Sequence, residues 1–125
     1  MSHPQPARVL VIDDERHMRG LLCELLTVWG CEADAASSGR EGLARFAAGR
    51  YDLVLTDLVM PGLTGLEVVE MVRHASPDVR VIVFTGASAD LQHHGRRLGF
   101  TLLRKPLEIR SLETAVKQAL AVKTG

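Results

Sequence analysis

The stretch LVLTDLVMPG, residues 53–62, determines the fold that we expect for this chain. Its apolar run stops at Thr56 and Asp57, and the Met-Pro-Gly that follows disfavours regular structure. A short run of Val and Leu bounded by turn residues predicts a strand that is buried on both faces of a sheet. A carboxylate at the end of such a strand lies at the carboxyl edge of the sheet, where ligands bind in open α/β folds. Asp57 is therefore the first candidate for chemistry.

The length and composition predict one globular domain. At 125 residues, with 46% hydrophobic and 24% charged residues, the chain can bury a core without disulfides or metals. Fifteen basic and fifteen acidic residues give a formal net charge of zero, so we expect neither direct nucleic-acid binding nor attraction to a membrane surface. No apolar run approaches the ~20 residues of a membrane span, and no signal-peptide pattern precedes Arg8. We therefore expect a cytoplasmic protein in which Cys23 and Cys31 are reduced, buried thiols.

Strands and helices alternate along the chain after a loose leader, residues 1–6. Apolar runs that end at polar or turn residues predict four of the strands, and the weakly alternating Glu32–Ala36 predicts a short edge strand. The five predicted strands are Arg8–Ile12, Glu32–Ala36, Tyr51–Asp57, Val79–Phe84 and Phe100–Leu103. Connections between them are short, and no linker or repeat divides the chain. Strands that alternate with helices predict right-handed βαβ units and one parallel sheet covered on both faces, an α/β fold.

Apolar residues at three- and four-residue spacing predict the helices. These are Met18–Trp29, which Gly30 ends, a helix opening at Ser38, a helix opening at Thr64 and broken at Pro77-Asp78, the mostly polar Ser88–Leu98, and Ile109–Val122. The side chains expected to face the core are Met18, Leu21, Leu22, Leu25, Leu26 and Trp29 in the first helix, Leu43, Phe46 and Ala47 in the second, Leu66, Val69 and Val72 in the third, and Leu112, Val116 and Leu120 in the last.

Polar residues end four of the predicted strands, and parallel strands bring such residues to a single edge of the sheet. They are Asp13 and Asp14, Asp57, Thr85, and Lys105. Two like charges ~4 Å apart repel by about 4 kcal/mol at an effective dielectric of 20, so either one of the three carboxylates stays protonated or a cation neutralises them. An all-oxygen ligand set favours a hard ion, Mg²⁺ rather than Ca²⁺, with Mn²⁺ as a substitute.

The same constellation is suited to phosphoryl transfer. A cation, an ammonium group and a hydroxyl around one carboxylate stabilise the oxygens of a transferring phosphoryl group. A carboxylate can itself be the nucleophile. The residues therefore predict a site that places a phosphoryl group on Asp57.

These motifs resemble the response-regulator receiver domains of two-component signalling, including the stand-alone chemotaxis type. The resemblance covers residues 7–122, and it implies a doubly wound, flavodoxin-like (βα)5 sandwich of three layers with strand order 2-1-3-4-5. No output domain is expected in these residues. The motifs that carry the resemblance are Asp13-Asp14, Asp57 followed by Met60-Pro61 and Gly65, Thr85-Gly86, and Lys105-Pro106.

The resemblance implies a phosphoacceptor rather than an enzyme. Asp57 would receive a phosphoryl group from a phosphohistidine on a histidine kinase or a histidine phosphotransfer protein, and would assist this reaction. Asp14, Asp57 and the backbone carbonyl of Val59 would ligate Mg²⁺, and Asp13 would act through water. The downstream protein is left open, as are a monomer or a phosphorylation-dependent dimer, and a stand-alone receiver or a piece of a longer regulator or hybrid kinase.

The resemblance also implies a switch. Lys105 would pair with the phosphoryl oxygens, and Thr85 would move toward them and bias the face made by helix 4, strand 5 and helix 5. Pro61, Gly62 and Gly65 would shape the turn after the phosphoacceptor. The resemblance also implies a cis Lys105-Pro106 bond, which is energetically accessible since the trans preference before proline is only about 0.5–1 kcal/mol.

Three positions depart from the family pattern. Leu102 replaces the Tyr or Phe whose ring usually moves with the hydroxyl, so coupling would depend on backbone and Leu packing. Val59 and Ala87 offer no polar side chain to orient water at an acyl phosphate, and Val59 would shield the phosphorus. We therefore expect slow self-dephosphorylation.

Two other hypotheses stay open at this point. A phosphatase of the haloacid dehalogenase type also uses a strand-end Asp, but it needs a second Asp two residues later, where this chain has Val59. A pseudo-receiver would serve only as an interaction scaffold. The complete acidic set argues against it, whereas Leu102 favours it.

Overall fold

The five predicted strands lie side by side in a computed structural model, which describes residues 5–86 and 98–121. All four strand pairs are parallel, and the order across the sheet is 2-1-3-4-5, as expected for a doubly wound, flavodoxin-like fold. The observed strands are β1 (Arg8–Ile12), β2 (Glu32–Ala36), β3 (Leu53–Asp57), β4 (Arg80–Thr85) and β5 (Thr101–Arg104). The last three begin one or two residues later than the apolar runs predict.

Three helices follow the first three strands, and a further helix ends the described part of the chain. They are α1 (Arg16–Val28), α2 (Gly39–Ala48), α3 (Gly65–Ala75) and the C-terminal helix (Ile109–Ala121). Helix α1 begins two residues before the predicted start, because the Glu15 side chain accepts the first free N–H groups and caps it. The predicted helix Ser88–Leu98 lies outside the described residues except for Leu98, as do residues 1–4 of the leader and Val122.

The sheet separates two apolar layers, because successive side chains of a strand point to opposite faces. Helix α1 and the C-terminal helix cover one face, and α2 and α3 cover the other. The first face is formed by Val9, Val11, Leu53, Leu55, Ile82 and Phe84, and the second by Leu10, Ile12, Val54, Val81 and Val83. This arrangement confirms the predicted three-layer sandwich.

Two residues predicted to face the core are exposed. Leu21 is 45% exposed, because α1 buries the neighbouring stripe that runs through Leu22 and Leu26. Ala47 is exposed, because α2 faces the sheet through Gly39 and Gly42, with Leu43 and Phe46 packed beside them. The helices that open at Ser38 and Thr64 are capped in different ways. Thr64 forms a complete capping box with Glu67, whereas Ser38 accepts the N–H of Glu41 while the Glu41 carboxylate accepts the N–H of Ser37.

Both cysteines agree with the sequence expectation. Cys31 is buried and Cys23 is partly buried, and neither forms a disulfide. Burial raises the pKa of both thiols above the usual value, so they stay protonated and unreactive at neutral pH.

A close contact fixes α2 beside the end of β1. A Cβ added to Gly42 would lie 2.4 Å from Cδ1 and 2.7 Å from Cγ1 of Ile12, whose side chain is completely buried. A β-branched side chain in a packed core has few other rotamers, so Ile12 has little room to move away. Because Gly42 has no side chain, α2 can lie close to Ile12. Ile12 directly precedes the acidic pair Asp13-Asp14, so this close packing helps to fix the position of the end of β1.

We expect Gly42→Ala to lower the free energy of unfolding by about 1–2 kcal/mol, because overpacking costs more than the helix propensity that alanine adds. Gly20→Ala in α1 is the matched control, since nothing lies within 4 Å of the Cβ that it would gain. The control should raise the free energy of unfolding by about 0.5–1 kcal/mol. Urea denaturation measures both changes, and the same sign in both variants would contradict the close contact.

Candidate functional site at the carboxyl edge of the sheet

Three carboxylates meet where β1 and β3 end. Asp13 and Asp14 follow β1, and Asp57 is the last residue of β3. One oxygen from each of them lies within 4.8 Å of the others, although Asp57 is more than forty residues away along the chain. Asp13 is completely buried, Asp57 is 6% exposed, and Asp14 is exposed to solvent. The structure thus brings together the acidic residues that the strand ends predict.

Asp13 is the member of this cluster whose charge is least compensated. Its Oδ1 accepts the backbone N–H of Glu15 at 2.9 Å, but none of the described residues donates a hydrogen bond to its buried Oδ2. Burial raises the pKa of Asp13, the Glu15 hydrogen bond opposes that shift, and the negative charge of Asp57 adds to it. A buried carboxylate oxygen without a donor, next to two more carboxylates, is suited to a hard cation.

Asp57 is held by a lysine from a distant strand. Lys105 follows β5, and its Nζ donates to Oδ2 of Asp57 at 2.8 Å. The second oxygen, Oδ1, accepts the backbone N–H of Val59 in a long hydrogen bond of 3.4 Å. Burial alone would lower the pKa of Lys105, but the hydrogen bond and charge of Asp57, with the charges of Asp13 and Asp14, raise it above the usual value. Lys105 is therefore a permanent cation in this site.

Thr85 reaches the same edge at the end of β4. Its neighbour Phe84 pairs with Asp57 across the sheet, and the Thr85 side chain is completely buried. The backbone carbonyl of Thr85 accepts the N–H of Lys105 at 2.8 Å, so the ends of β4 and β5 are joined. Four of the predicted strand ends thus lie along one edge, with Thr85 at the end of β4, between the strand that ends in Asp57 and the strand that Lys105 follows.

The turn after Asp57 requires a glycine at position 65, because a side chain there would collide with the backbone. A Cβ added to Gly65 would lie 2.3 Å from the backbone oxygen of Asp57 and 2.7 Å from Cα of Leu58. The N–H of Gly65 also donates to the Leu58 carbonyl at 2.8 Å, so α3 begins directly against the end of β3. Gly62 has φ 79°, a left-handed conformation that favours glycine, and Pro61 before it is exposed.

The predicted cis bond at Lys105-Pro106 is confirmed.

The residues that depart from the family pattern occupy different environments. Val59 is 66% exposed beside Asp57. Leu102 is partly buried and packs against the core layer under α2 and α3, with Val83 as its pairing partner in β4. Ala87 lies outside the described residues.

Sequence reasoning missed two residues that hold the acidic loop. Arg19 in α1 donates from its guanidinium to the backbone carbonyl of Asp13 at 2.9 Å. Glu15 caps α1 by accepting the N–H groups of His17 and Met18, and these hydrogen bonds lower its pKa. The acidic residue at the start of a helix was a readable signal for the cap. The Arg19 contact had no such signal, because it reaches back six residues to a carbonyl.

Comparison with protein families settles what kind of domain this edge belongs to. The family model for the response regulator receiver domain matches residues 9–117. The chain belongs to this family. It is therefore a receiver domain of two-component response regulators, and the motifs named from the sequence fall within the matched region. Membership favours phosphorelay signalling over a phosphatase of the haloacid dehalogenase type.

Individual relatives agree with this assignment over nearly the whole chain. Sporulation initiation phosphotransferase F of Bacillus subtilis is 31% identical over 120 residues, which cover 94% of this chain and 97% of that protein. The response regulator TrrA of Thermotoga maritima, solved in complex with Mg²⁺-BeF, is 37% identical with a TM-score of 0.84, covering 91% of this chain and 99% of that one. The chemotaxis protein CheY4 of Vibrio cholerae is 30% identical with a TM-score of 0.85, covering 93% and 100%.

The receiver family binds Mg²⁺ at an acidic pocket, and the three carboxylates of this chain have the composition of such a pocket. Response regulators of this family act with histidine kinases and phosphotransfer proteins. Among residues 5–86 and 98–121, no helix has both the length and the apolar character that crossing a membrane requires.

We expect Asp13→Asn to raise the free energy of unfolding by roughly 1–2 kcal/mol at neutral pH without divalent cations. Each pair of like charges at the 4.8 Å limit repels by about 3 kcal/mol at an effective dielectric of 20, and Lys105 offsets only part of this. The raised pKa of Asp13 has the same meaning, since the ionised form is disfavoured in the folded state. Asparagine keeps an acceptor for the Glu15 N–H and removes the charge.

Asp34→Asn is the control with the opposite expected sign. The Asp34 carboxylate accepts a hydrogen bond from the Tyr51 hydroxyl at 2.7 Å and from Arg8 at 3.0 Å. The Tyr51 hydrogen bond is the main reason that the pKa of Asp34 is lowered, so its ionised form stabilises the folded state above the ordinary carboxyl pKa. Urea denaturation should therefore show a loss of stability. Destabilisation by both substitutions would refute the charge argument for Asp13.

Proposed function

We propose that this receiver accepts a phosphoryl group on Asp57 from the phosphohistidine of a histidine kinase or histidine phosphotransfer protein, in a Mg²⁺-dependent reaction. The observation that carries the proposal is the environment of Asp57. Its carboxylate lies at the carboxyl edge of the sheet, 2.8 Å from the Lys105 ammonium and beside two further carboxylates. This arrangement gives a nucleophile, a fixed cation and a set of hard oxygen ligands in one place.

The proposed phosphoryl transfer is a displacement at phosphorus. A carboxylate oxygen of Asp57 forms the new P–O bond while the P–N bond of the phosphohistidine breaks, and the departing imidazole of the donor takes up a proton. Lys105 keeps its proton throughout, because its pKa is raised above the usual value by the surrounding carboxylates. Its ammonium then pairs with the phosphoryl oxygens instead of the free carboxylate. It moves no proton in this step and acts as a positive charge at the site.

The ligands proposed for Mg²⁺ are Asp14, Asp57 and the backbone carbonyl of Val59, with Asp13 acting through water. When bound, Mg²⁺ neutralises the carboxylates and the charge on the phosphoryl oxygens. The buried Oδ2 of Asp13, which none of the described residues satisfies, supports a positively charged group at this place. The related TrrA structure contains Mg²⁺-BeF, which supports the same chemistry here.

We further propose that Thr85 moves toward the phosphoryl group and changes the surface formed by β5 and the C-terminal helix; the helix 4 expected from the sequence lies outside the described residues except for Leu98. The carbonyl of Thr85 already accepts the N–H of Lys105, so a shift at the end of β4 acts directly on the backbone of β5. Leu102 lies three residues before Lys105 and packs against the buried core. The signal in this chain would therefore pass through the β4–β5 backbone and the packing of Leu102.

Incubation with Mg²⁺ and acetyl phosphate should add one phosphoryl group to the protein, detected by intact-mass spectrometry. Asp57→Asn should abolish the modification, because an amide is not a nucleophile at phosphorus and cannot bind the ion as a carboxylate does. Chelation of Mg²⁺ by EDTA should have the same effect on the wild type. Lys105→Met keeps the apolar stem and loses the ammonium, so we expect slower modification at the same residue. A wild-type protein that stays unmodified, or an Asp57→Asn protein that is modified, would refute the proposal.

Val59→Asn should shorten the lifetime of the phosphorylated protein several-fold. The Val59 side chain is exposed beside Asp57, and an amide at that place can orient a water molecule toward phosphorus, whereas valine only excludes it. Val59→Ile is the control, since it stays apolar and should leave the lifetime unchanged or lengthen it. Loss of the phosphoryl group is followed by mass spectrometry after the donor is removed. A longer lifetime in Val59→Asn would contradict the shielding role of Val59.

A further inference from the structure

We propose, on the basis of the magnesium site proposed above, that Arg19 is a positioning residue for that site. It does not touch the ion or the phosphoryl group. It fixes the peptide plane between Asp13 and Asp14 from within α1, and so determines where the exposed carboxylate of Asp14 lies relative to the buried ones.

The contact between Arg19 and the Asp13 carbonyl lies just beyond the end of β1. Ile12 is the last residue of β1, and the N–H of Asp13 donates to Ala36 at 3.1 Å as the final link to β2. The carbonyl of Asp13 lies beyond the paired registers of β1 with β2 and β3. The Arg19 guanidinium donates to that carbonyl at 2.9 Å in a partly buried place. A charged donor makes this a stronger hydrogen bond than one from a neutral amide.

A fixed carbonyl direction has a geometric consequence for the next residue. The carbonyl of Asp13 and the nitrogen and Cα of Asp14 belong to one planar peptide unit, so holding the oxygen holds all of them. Asp13 is fixed already by burial and by the Glu15 N–H, which donates to its Oδ1 at 2.9 Å. Asp14 is exposed, and burial does not fix it. Arg19 therefore controls the member of the carboxylate cluster that has most freedom.

Arg19 is itself anchored to the loop that it holds. Its backbone N–H donates to the carbonyl of Glu15 at 3.0 Å, and the Glu15 side chain caps α1. Three interactions thus hold the segment from Asp13 to Arg19 in one conformation: a backbone hydrogen bond, the helix cap and the guanidinium contact. A rigid helix end carries the acidic loop, as precise ion binding requires.

Charge and positioning predict opposite effects when Arg19 is replaced. Removing a positive charge close to three carboxylates should, by electrostatics alone, strengthen the binding of a divalent cation. Losing the hydrogen bond to the Asp13 carbonyl should weaken it, because the ligand oxygens are then no longer held in place. The sign of the change in Mg²⁺ affinity separates the two effects. A general loss of stability would not change the measured Mg²⁺ affinity, because the affinity of every variant is measured on folded protein.

The test compares Arg19→Met with Arg16→Met, an exposed arginine of the same helix whose loss removes the same charge. Mg²⁺ is added to each folded protein, and the dissociation constant is read from backbone amide shifts in NMR spectra. We expect Arg19→Met to bind Mg²⁺ about tenfold more weakly than the wild type. We expect Arg16→Met to bind it equally or more tightly. The Asp13 carbonyl carbon should shift in Arg19→Met without Mg²⁺, as a direct sign of the lost hydrogen bond.

The outcomes distinguish this inference from the proposed function. A wild-type protein that does not bind Mg²⁺ would refute the magnesium site itself. Binding by the wild type together with equal or tighter binding by Arg19→Met would overturn the positioning role of Arg19. If Arg19→Met does not fold, Arg19→Gln replaces it, because the shorter neutral amide is expected to lose the same contact. Equal or tighter binding in that variant would overturn the inference in the same way.

Discussion

Mutual repulsion among the carboxylates of Asp13, Asp14 and Asp57 is the constraint on which the rest of this structure depends. The fold holds one oxygen of each within 4.8 Å and buries two of the three side chains. Lys105 and the Glu15 N–H offset part of the unfavourable energy, but Oδ2 of Asp13 has no donor among the described residues. The remaining negative charge favours a cation at this edge of the sheet. The repulsion that destabilises the folded protein at this edge is therefore the same interaction that a bound cation would relieve.

Close backbone packing keeps this cluster in place. Gly65 brings the start of α3 against the carbonyl of Asp57, and Gly42 brings α2 against Ile12 at the end of β1. Each contact lies within one residue of a carboxylate, so each strand end is held by a helix on the same face of the sheet. Arg19 holds the acidic loop from α1 on the other face. The site is therefore supported from both layers, although Asp13, Asp14 and Lys105 lie in the loops that follow their strands.

The fold and the central site residues were predictable because they depend on patterns along the chain. Apolar runs ending in polar residues located the strands, and parallel pairing then placed Asp13 and Asp57 at one edge. Leu21 was predicted wrongly because periodicity identifies the apolar stripe of a helix but not its width. Ala47 was predicted wrongly because the glycines extend the buried stripe of α2 to Gly39 and Gly42, beside Leu43 and Phe46, and leave Ala47 outside it. The Arg19 contact was not predictable, since hydrogen bonds to a backbone carbonyl leave no pattern of residue types.

The proposed switch must work without an aromatic ring at position 102. An aromatic side chain can store a signal as a choice between an exposed and a buried rotamer, whereas leucine exposes no polar group and gains little from a second position. Among the described residues, Lys105 connects Asp57 to the end of β4. Lys105 joins Asp57 through its ammonium and Thr85 through its backbone N–H. A phosphoryl group that draws Lys105 and Thr85 inward would therefore pull on the end of β5 itself. Leu102, three residues earlier and packed on the core, would limit how far that movement extends along the strand.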